Sequence, residues 1–282
     1  MATTDTDTSI NPGTDFQHIG LQRRGHIALI TLQRPDRLNA LNRQMAQELR
    51  DVLAQLAGEF PETRVVVITG AGRGFCSGAD VGDIAKRMAN PVDGDLGSSS
   101  DAEDGPSIIM RLAPRIREMP QPVIAAVNGV AAGAGLGIAL SCDIRVASDE
   151  ARFTSVFVKR SLVPDAGVSQ ILGALAGPGI AAEMAFTGRV YDAQWALAKG
   201  LVNETVPAGE LMAQAESLAQ DIAANPPLAV RAIKELLNGH YPDLNRVIEM
   251  EHRANDAVRG TADQKEAVQA FLEKREPEFN GS

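Results

Sequence analysis

The sequence predicts an α/β fold, and three features support that prediction. Residues 27–32 and 65–69 are apolar, β-branched runs of the kind that form buried strands in a parallel sheet. Between them, apolar residues from Leu41 to Leu56 recur at helical spacing. Strand-like and helix-like segments then alternate to about residue 206, and only helices are predicted after it.

The N-terminal elements follow from local composition. Residues 1–18 are rich in Thr, Asp, Asn and Gly, which predicts a disordered tail. Asn39 is expected to cap the helix after strand 27–32, and Asp80 to cap a helix over residues 81–88. Residues 89–107 contain Gly, Ser and acidic residues and are expected to form a mobile surface loop or a lid.

Two regions are predicted beyond the tail. The core region, residues 19–206, continues with a helix at 108–118, a strand at 123–127, a helix from about 133, a strand at 143–148 and a short strand near 152–155. The C-terminal region, residues 207–282, is predicted to be helical at 208–223, 227–238, 242–258 and 261–274.

Composition and charge exclude several classes of protein. The 282 residues carry 27 Lys+Arg and 36 Asp+Glu, a net charge of −9, with 4% aromatic residues, which argues against nucleic-acid binding. Two distant cysteines, Cys76 and Cys142, support neither a disulfide framework nor a metal site. The N-terminus lacks the features of a signal peptide, and Asn128-Gly129 interrupts the apolar segment 123–140. We therefore expect a cytoplasmic protein with no membrane contact.

Neither of two glycine pairs completes a dinucleotide-binding motif. Phe75 stands at the third glycine position after Gly70-Ala71-Gly72, and Ile138 stands there after Gly133-Ala134-Gly135. No phosphate-binding P-loop, zinc-protease motif or esterase nucleophile elbow occurs in the sequence. The sequence therefore gives no support to NAD, ATP or zinc as a cofactor.

Two glycine-rich turns remain, residues 74–80 and residues 128–135, and each leaves a buried-looking strand and enters a helix. Small side chains allow close approach, and the first amides of a helix have no acceptor within it, so such turns attract negative charge. If they converge, they form an oxyanion hole. For either turn alone, tight packing is an equally simple explanation.

Six ordered motifs resemble the crotonase, or enoyl-CoA hydratase/isomerase, superfamily over about residues 19–278. They are the segments at residues 34–42, 74–81, 128–144, 187–188, 198–202 and 270–275. The resemblance implies a spiral of ββα units with a C-terminal helical trimerisation region, assembled as trimers or paired trimers. It also implies an acyl-CoA thioester substrate and no separate cofactor, since coenzyme A is part of the substrate.

The resemblance also assigns roles to residues of this chain. The backbone amides of Ala79 and Ala134 would hold the thioester oxygen, and Ala79, Asp80, Val81 and Gly82 would contact the substrate. Phe157 would line the acyl pocket, and a place in the hydrophobic core is the alternative for it. Arg37 would lie near the CoA phosphates, and Lys274 would reach them from a neighbouring chain; solvated surface residues are the alternative for both.

The acid/base residue departs from the hydratase pattern. The two positions where hydratases of the superfamily carry glutamates are Gly137 and Phe157 here. Asp165 lies where several isomerases carry a single catalytic aspartate, and its surroundings resemble the isomerase of the phenylacetate ring-epoxide pathway. One carboxylate is sufficient to move a proton between two carbons.

Other interpretations of the same residues stay open. Asp165 could simply cap the helix that follows Pro164, or it could act as a nucleophile as in crotonase-fold dehalogenases. The chain could also be a hydratase that uses another carboxylate, or a catalytically idle binding or scaffold protein.

Overall fold

The computed structural model describes residues 16–82 and 106–282, and its strands form two sheets. The six-stranded sheet has the order β1-β2-β3-β5-β7-β10, with β1 at Ile19–Arg24, β2 at Ile27–Leu32, β3 at Val65–Gly70, β5 at Val123–Val127, β7 at Ile144–Ser148 and β10 at Glu204–Val206. The four-stranded sheet has the order β4-β6-β8-β9, with β4 at Gly74–Cys76, β6 at Val130–Ala132, β8 at Arg152–Thr154 and β9 at Tyr191–Asp192.

The chain alternates between the two sheets. Strands β3, β5 and β7 of the large sheet are each followed by β4, β6 and β8 of the small one, and each set is parallel. Among the strands of residues 16–82 and 106–282, only the pairs β1–β2 and β8–β9 are antiparallel. This repeated crossing confirms the predicted α/β spiral.

Ten α-helices lie in the described part of the chain. They are α1 (Arg43–Gly58), α2 (Leu112–Glu118), α3 (Ala134–Ser141), α4 (Val168–Ala176), α5 (Pro178–Thr187), α6 (Ala193–Ala198), α7 (Leu211–Ala223), α8 (Pro227–Asn238), α9 (Leu244–Val258) and α10 (Ala262–Glu273). Helix α7 packs on β3, β5 and β7, while α3 is buried at every position. None of the helices described is long and apolar enough to span a bilayer.

Two expectations for the N-terminal segment need correction. Residue 16 is not part of a tail, because Phe16 packs on the core and the amides of Gln17 and His18 donate to Glu48 at 3.1 and 2.7 Å. Asn42, not Asn39, caps α1, since its side chain accepts the Met45 amide at 2.8 Å. Residues 1–15, most of the predicted loop 89–107 and residues 83–88 of the predicted helix lie outside the described residues.

The sequence also missed the short strands. Each of β4, β6, β9 and β10 has three residues or fewer. Periodicity needs more residues than that, so strands β4 and β6 were included in the glycine-rich turns. Those two strands pair with each other and thereby bring the turns together.

A buried charge cluster joins α8 to the core. Asp143, just before β7, accepts from Lys234 at 2.8 Å, from Arg117 at 3.3 Å and from the Val123 amide at 2.8 Å. The side chains of Lys234 and Arg117 are only 5% and 8% exposed, so both cations depend on this carboxylate for neutralisation.

Asp143→Ala is therefore expected to lower the free energy of unfolding by about 3–5 kcal/mol, because it leaves two buried cations without their counter-ion. Urea denaturation measures the change. Asp256→Ala is the matched control, since Asp256 is 44% exposed where it pairs with Arg259, and its loss is expected to cost about 1 kcal/mol or less. Equal losses in the two variants would contradict the structural role of Asp143.

Candidate active site

The first glycine-rich turn is hydrogen-bonded to the segment before α1. The Ser77 amide donates to Leu38 at 2.9 Å, the Leu41 amide to Gly78 at 2.8 Å, and the Asp80 amide to Leu41 at 3.0 Å. Leu41 thus pairs with both neighbours of Ala79 in a parallel bridge. Because successive amides along extended backbone face opposite sides, the N–H of Ala79 points away from Leu41.

Asp80 has the capping role predicted for it. Its Oδ1 accepts the Gly82 amide at 3.0 Å, and its Oδ2 accepts from Arg34 at 2.9 Å. Arg34 also donates to the carbonyl of Ala40. The carboxylate of Asp80 therefore binds the turn at Val81-Gly82 to the preceding segment, and its oxygens are occupied by structural partners.

The side chain of Asn39 stabilises the segment before α1 through hydrogen bonds in the interior. Its side chain is fully buried and donates to the carbonyls of Ala71 and Gly74 at 2.9 and 2.7 Å, while accepting the Arg34 amide at 2.8 Å. Its φ of 55° is in the left-handed region, which asparagine tolerates better than most residues. Arg37, by contrast, is exposed, and its carbonyl accepts from Ser77 Oγ of the turn at 3.2 Å.

The second glycine-rich turn is docked against the first. Asn128 donates to the carbonyls of Gly72 and Gly74 at 2.8 and 3.2 Å and accepts the Gly70 amide at 3.1 Å. A Cβ on Gly129 would overlap the carbonyl of Arg73, so only glycine permits this approach.

The two turns meet at Gly78 and Ala134. A Cβ on Gly78, whose φ is 93°, would lie 2.8 Å from the Ala132 oxygen and 3.5 Å from the Ala134 nitrogen. Ala134 is the first residue of α3, and Gly133 accepts its first intrahelical bond from Gly137. The amide of Ala134 therefore has no acceptor within the helix and lies beside the residue that precedes Ala79.

Phe157 and the loop before α4 cover the same helix. The Phe157 ring is 95% buried, and its Cε1 lies 3.9 Å from a Cβ built on Gly133. A Cβ on Gly137 would lie 2.6 Å from the oxygen of Ala166 and 2.9 Å from its Cβ. Since Ala134 and Gly137 share one face of α3, Ala166, the residue after Asp165, packs about one helical turn along α3 from Ala134.

Asp165 is half-buried, and its Oδ1 has neither solvent contact nor a hydrogen-bond partner. Burial, with a smaller contribution from the negative charge of Glu251, raises the pKa of Asp165 to about 8. The capping interpretation of Asp165 is wrong. The N-cap of α4 is Gly167, and the amides of Gly167 and Ser169 donate to Glu251 at 2.9 and 3.1 Å.

One predicted residue, Lys274, lies apart from this constellation. Lys274 is exposed at the C-cap of α10, a helix that packs on residues 156–160 of the same chain. Cys76 is fully buried within the first turn, and burial raises the pKa of its thiol to about 12, so it is not a nucleophile at neutral pH.

Comparison with known proteins identifies the family. The family model described as enoyl-CoA hydratase/isomerase matches residues 22–282. The short-chain-enoyl-CoA hydratase of Clostridium acetobutylicum is 37% identical over 270 residues, which are 94% of this chain and 98% of that protein. The chain belongs to the enoyl-CoA hydratase/isomerase family. The 1,2-epoxyphenylacetyl-CoA isomerase of Escherichia coli is also 37% identical, over 90% of this chain and 95% of that protein.

Solved structures of the enoyl-CoA hydratase/isomerase family share the fold. The crystal structure of carnitinyl-CoA hydratase from Mycobacterium avium superposes with a TM-score of 0.82 at 34% identity, over 94% of this chain and 99% of the other. The predicted superfamily and its acyl-CoA chemistry are thus confirmed. Because a hydratase and an isomerase are equally similar in sequence, identity alone does not select the reaction.

Sequence reasoning missed Glu251 on α9, which the family motifs do not include. Helical spacing could have found it, because Leu244, Val247, Ile248 and Glu251 lie on one face of α9. A glutamate on an apolar face needs buried donors, and the amides at the start of α4 supply them.

Asp165→Asn is expected to change how stability depends on pH. Because the pKa of Asp165 is about 8 in the folded protein against 3.8 ordinarily, the folded state holds a proton that the unfolded state releases between these values. Wild-type stability should therefore fall as pH rises through this window, by at most about 1.4 kcal/mol per pH unit, and the variant should escape this loss.

Urea denaturation of both proteins at about pH 5 and about pH 8 measures the difference. If the difference in free energy of unfolding between wild type and variant were the same at both pH values, Asp165 would titrate as an ordinary surface aspartate.

Proposed function

We propose that this protein is an enoyl-CoA isomerase, in which Asp165 moves a proton between the α and γ carbons of an acyl-CoA thioester. The observation that supports it best is the carboxyl of Asp165 itself. Its Oδ1 is buried without a partner, and its pKa is about 8. The residue after it, Ala166, packs on Gly137, one turn along α3 from Ala134. A structural carboxyl in that position would be hydrogen-bonded.

The reaction needs one carboxylate in two states. Ionised Asp165 takes a proton from the α carbon of a 3-enoyl thioester, and the electron pair moves onto the thioester oxygen to give a dienolate. The protonated Asp165 then donates the same proton to the γ carbon, and the electrons return to form the double bond at the 2-position. A positioned acid/base of this kind typically contributes about 10²–10⁴ in rate.

The dienolate oxygen would be held by the amides of Ala79 and Ala134. One amide points away from its bridge partner, the other begins α3, and Gly78 lets the two turns approach. The dipole of α3 adds to the attraction. Backbone donors neither titrate nor reorganise during the reaction, and one such donor is typically worth about 10²–10³ in rate.

Hydration by two glutamates has no room in this site. The Cβ position of Gly137 is filled by the backbone of Ala166, and Phe157 presents an apolar ring. The remaining buried carboxylate nearby, Glu251, has both oxygens engaged by the amides of Gly167 and Ser169. An apolar wall that excludes water favours proton transfer between carbons over water addition.

The CoA moiety would follow the first turn. Arg37 is exposed, and its carbonyl accepts from Ser77, two residues before Ala79. Its guanidinium would attract the CoA phosphates, and Lys274 would supply a second cation from a neighbouring subunit. No resident cofactor enters this chemistry, because coenzyme A arrives with the substrate. The proposed location is the cytoplasm, which supplies acyl-CoA thioesters.

Asp165→Asn is expected to lower kcat for conversion of a 3-enoyl-CoA to the 2-enoyl product by about 10³-fold or more, because the amide cannot accept the proton. The affinity for acyl-CoA should stay within a few-fold of wild type. Asp221→Asn, at an exposed aspartate of α7, is the matched control and should retain full activity.

Product analysis with crotonyl-CoA and a 3-enoyl-CoA separates the alternatives. Formation of a 3-hydroxyacyl product without double-bond migration would identify a hydratase. A trapped acyl-enzyme on Asp165 in single-turnover mass spectrometry would identify a nucleophile, and absence of turnover with retained CoA binding would identify a binding protein.

We further propose that the chain assembles as a trimer, or a pair of trimers, through its last helices. Large apolar side chains of α8 and α10 are exposed in the single chain, notably Leu236 at 77% and Leu228 at 68%; the others are Ile233, Leu237, Phe271 and Leu272. An apolar surface of this kind on a folded chain typically marks a subunit contact.

Leu236→Asp is therefore expected to weaken assembly, because it places a charge in an apolar interface. Sedimentation velocity should give a trimer or hexamer for the wild type and smaller species for the variant. Ala54→Asp, on the exposed face of α1, adds the same charge elsewhere and should keep the wild-type mass. A monomeric wild-type protein would contradict the proposed assembly.

A further inference from the structure

Helix α9 forms hydrogen bonds to the chain on both sides of Asp165. Asn255 accepts the Val163 amide at 3.1 Å and donates to the Val163 carbonyl at 3.3 Å. Glu251, one turn earlier, accepts the Gly167 amide at 2.9 Å and the Ser169 amide at 3.1 Å. Both side chains are buried, at 6% and 4% exposure. Four hydrogen bonds from one helix face thus flank a carboxyl whose own Oδ1 has none.

The loop needs such support because its backbone is in an unfavourable conformation. Ala166 has a φ of 53° and Gly167 a φ of 79°, and the left-handed region costs a non-glycine residue about 1–2 kcal/mol. Ala166 is also pressed against Gly137 of α3. Glycine at position 167 suits its φ, and the Val168 amide donates to the Asp165 carbonyl at 3.0 Å, but the left-handed Ala166 depends on contacts from outside the loop.

We propose that Glu251 and Asn255 are positioning residues for Asp165, and that the buried charge of Glu251 makes the ionised Asp165 carboxylate a stronger base. Asn255 would act through geometry alone, and Glu251 through geometry and charge together. This inference rests on the proposed isomerase function and deepens the role of Asp165. The two residues would act through Asp165 and would not touch the substrate.

Electrostatics around the loop single out Glu251. Burial raises the pKa of Glu251, while the two N–H donors favour its ionised form and oppose that shift. When Glu251 is ionised, its charge adds to burial in raising the pKa of Asp165. Residues 161–167, α3 and α4 carry no other charged side chain. On α9 and α2, the other charged groups are paired or exposed: Glu249 with Arg111, Asp256 with His252 and Arg259, Arg117 with Asp143, Glu118 with Asn245, and Arg115, Arg246 and Arg253.

The consequence for the reaction is a stronger base. An α-proton of a thioester is only weakly acidic, and an aspartate of ordinary pKa would remove it slowly. A carboxyl that holds its proton up to about pH 8 is a better proton acceptor once ionised, in accordance with Brønsted behaviour.

The charge part is tested by titration of the Asp165 carboxyl in the full-length protein. The infrared band of its protonated form, identified by its absence in Asp165→Asn, should persist in the wild type well above the ordinary range for aspartate. In Glu251→Gln its midpoint should shift to lower pH, and the acid limb of the kcat/KM profile should shift with it. Glu249→Gln, a neutralised glutamate on the same helix but half-exposed, is the matched control and should leave both unchanged.

The positioning part is tested by Asn255→Ala, which leaves Glu251 in place. We expect kcat to fall about 10- to 100-fold, with KM and the Asp165 midpoint unchanged, because the variant displaces the carboxyl without changing its pKa. An unchanged kcat would overturn this part. An Asp165 midpoint in the ordinary range in the wild type would overturn the charge part even if Glu251→Gln failed to fold, as would an unmoved midpoint in that variant.

Failure of the proposed function has a different signature. If Asp165→Asn kept full isomerase activity, Asp165 would not be the proton carrier, whereas the infrared titration would still report whether Glu251 controls its protonation. If Asp165→Asn were inactive and Glu251→Gln left the midpoint unmoved, only the role of Glu251 would be lost.

Discussion

The close backbone approach between the two glycine-rich turns is the constraint on which the candidate site depends. A Cβ on Gly129 would overlap the Arg73 carbonyl, and a Cβ on Gly135 would overlap that of Cys76. These contacts let β4 and β6 pair, and the pairing places the Ala134 amide beside Gly78. An oxyanion site built from backbone donors needs such proximity, since amide groups cannot reach across a gap as side chains can.

A second constraint separates the chemistry of this chain from water addition. The loop that presents Asp165 occupies the space beside Gly137, so a carboxylate on that residue of α3 and the present loop conformation exclude each other sterically. Phe157 covers the neighbouring face. The packing of this loop on α3 therefore leaves no space for a carboxylate at position 137. It also helps to bury Asp165, and burial is the main cause of the raised pKa of Asp165.

Local patterns predicted the long elements well and the short ones poorly. Strands β2 and β5 agree with their predicted bounds, and helix α8 agrees at both ends, because each carries a clear apolar pattern. The predicted capping role of Asn39 is wrong because asparagine is common both as a helix cap and as a buried side chain that hydrogen-bonds to the backbone. Only the position of the Gly74 carbonyl distinguishes the two roles here. Likewise, the sequence suggests Asp165 as the cap of α4 because it is the nearest acidic residue. The acid that accepts the Gly167 amide is Glu251, which lies 84 residues away in sequence.

By itself, the sequence determined the family, the alternating α/β architecture and the identity of the turns, because these depend on local motifs and on the periodicity of apolar residues. It also singled out Asp165 as a candidate acid. Only the tertiary structure decided that Asp165 does not cap α4, that its Oδ1 is left unpaired, and that Glu251 and Asn255 hold its loop. Burial and long-range hydrogen bonding are set by how distant segments pack, and no local pattern records that packing.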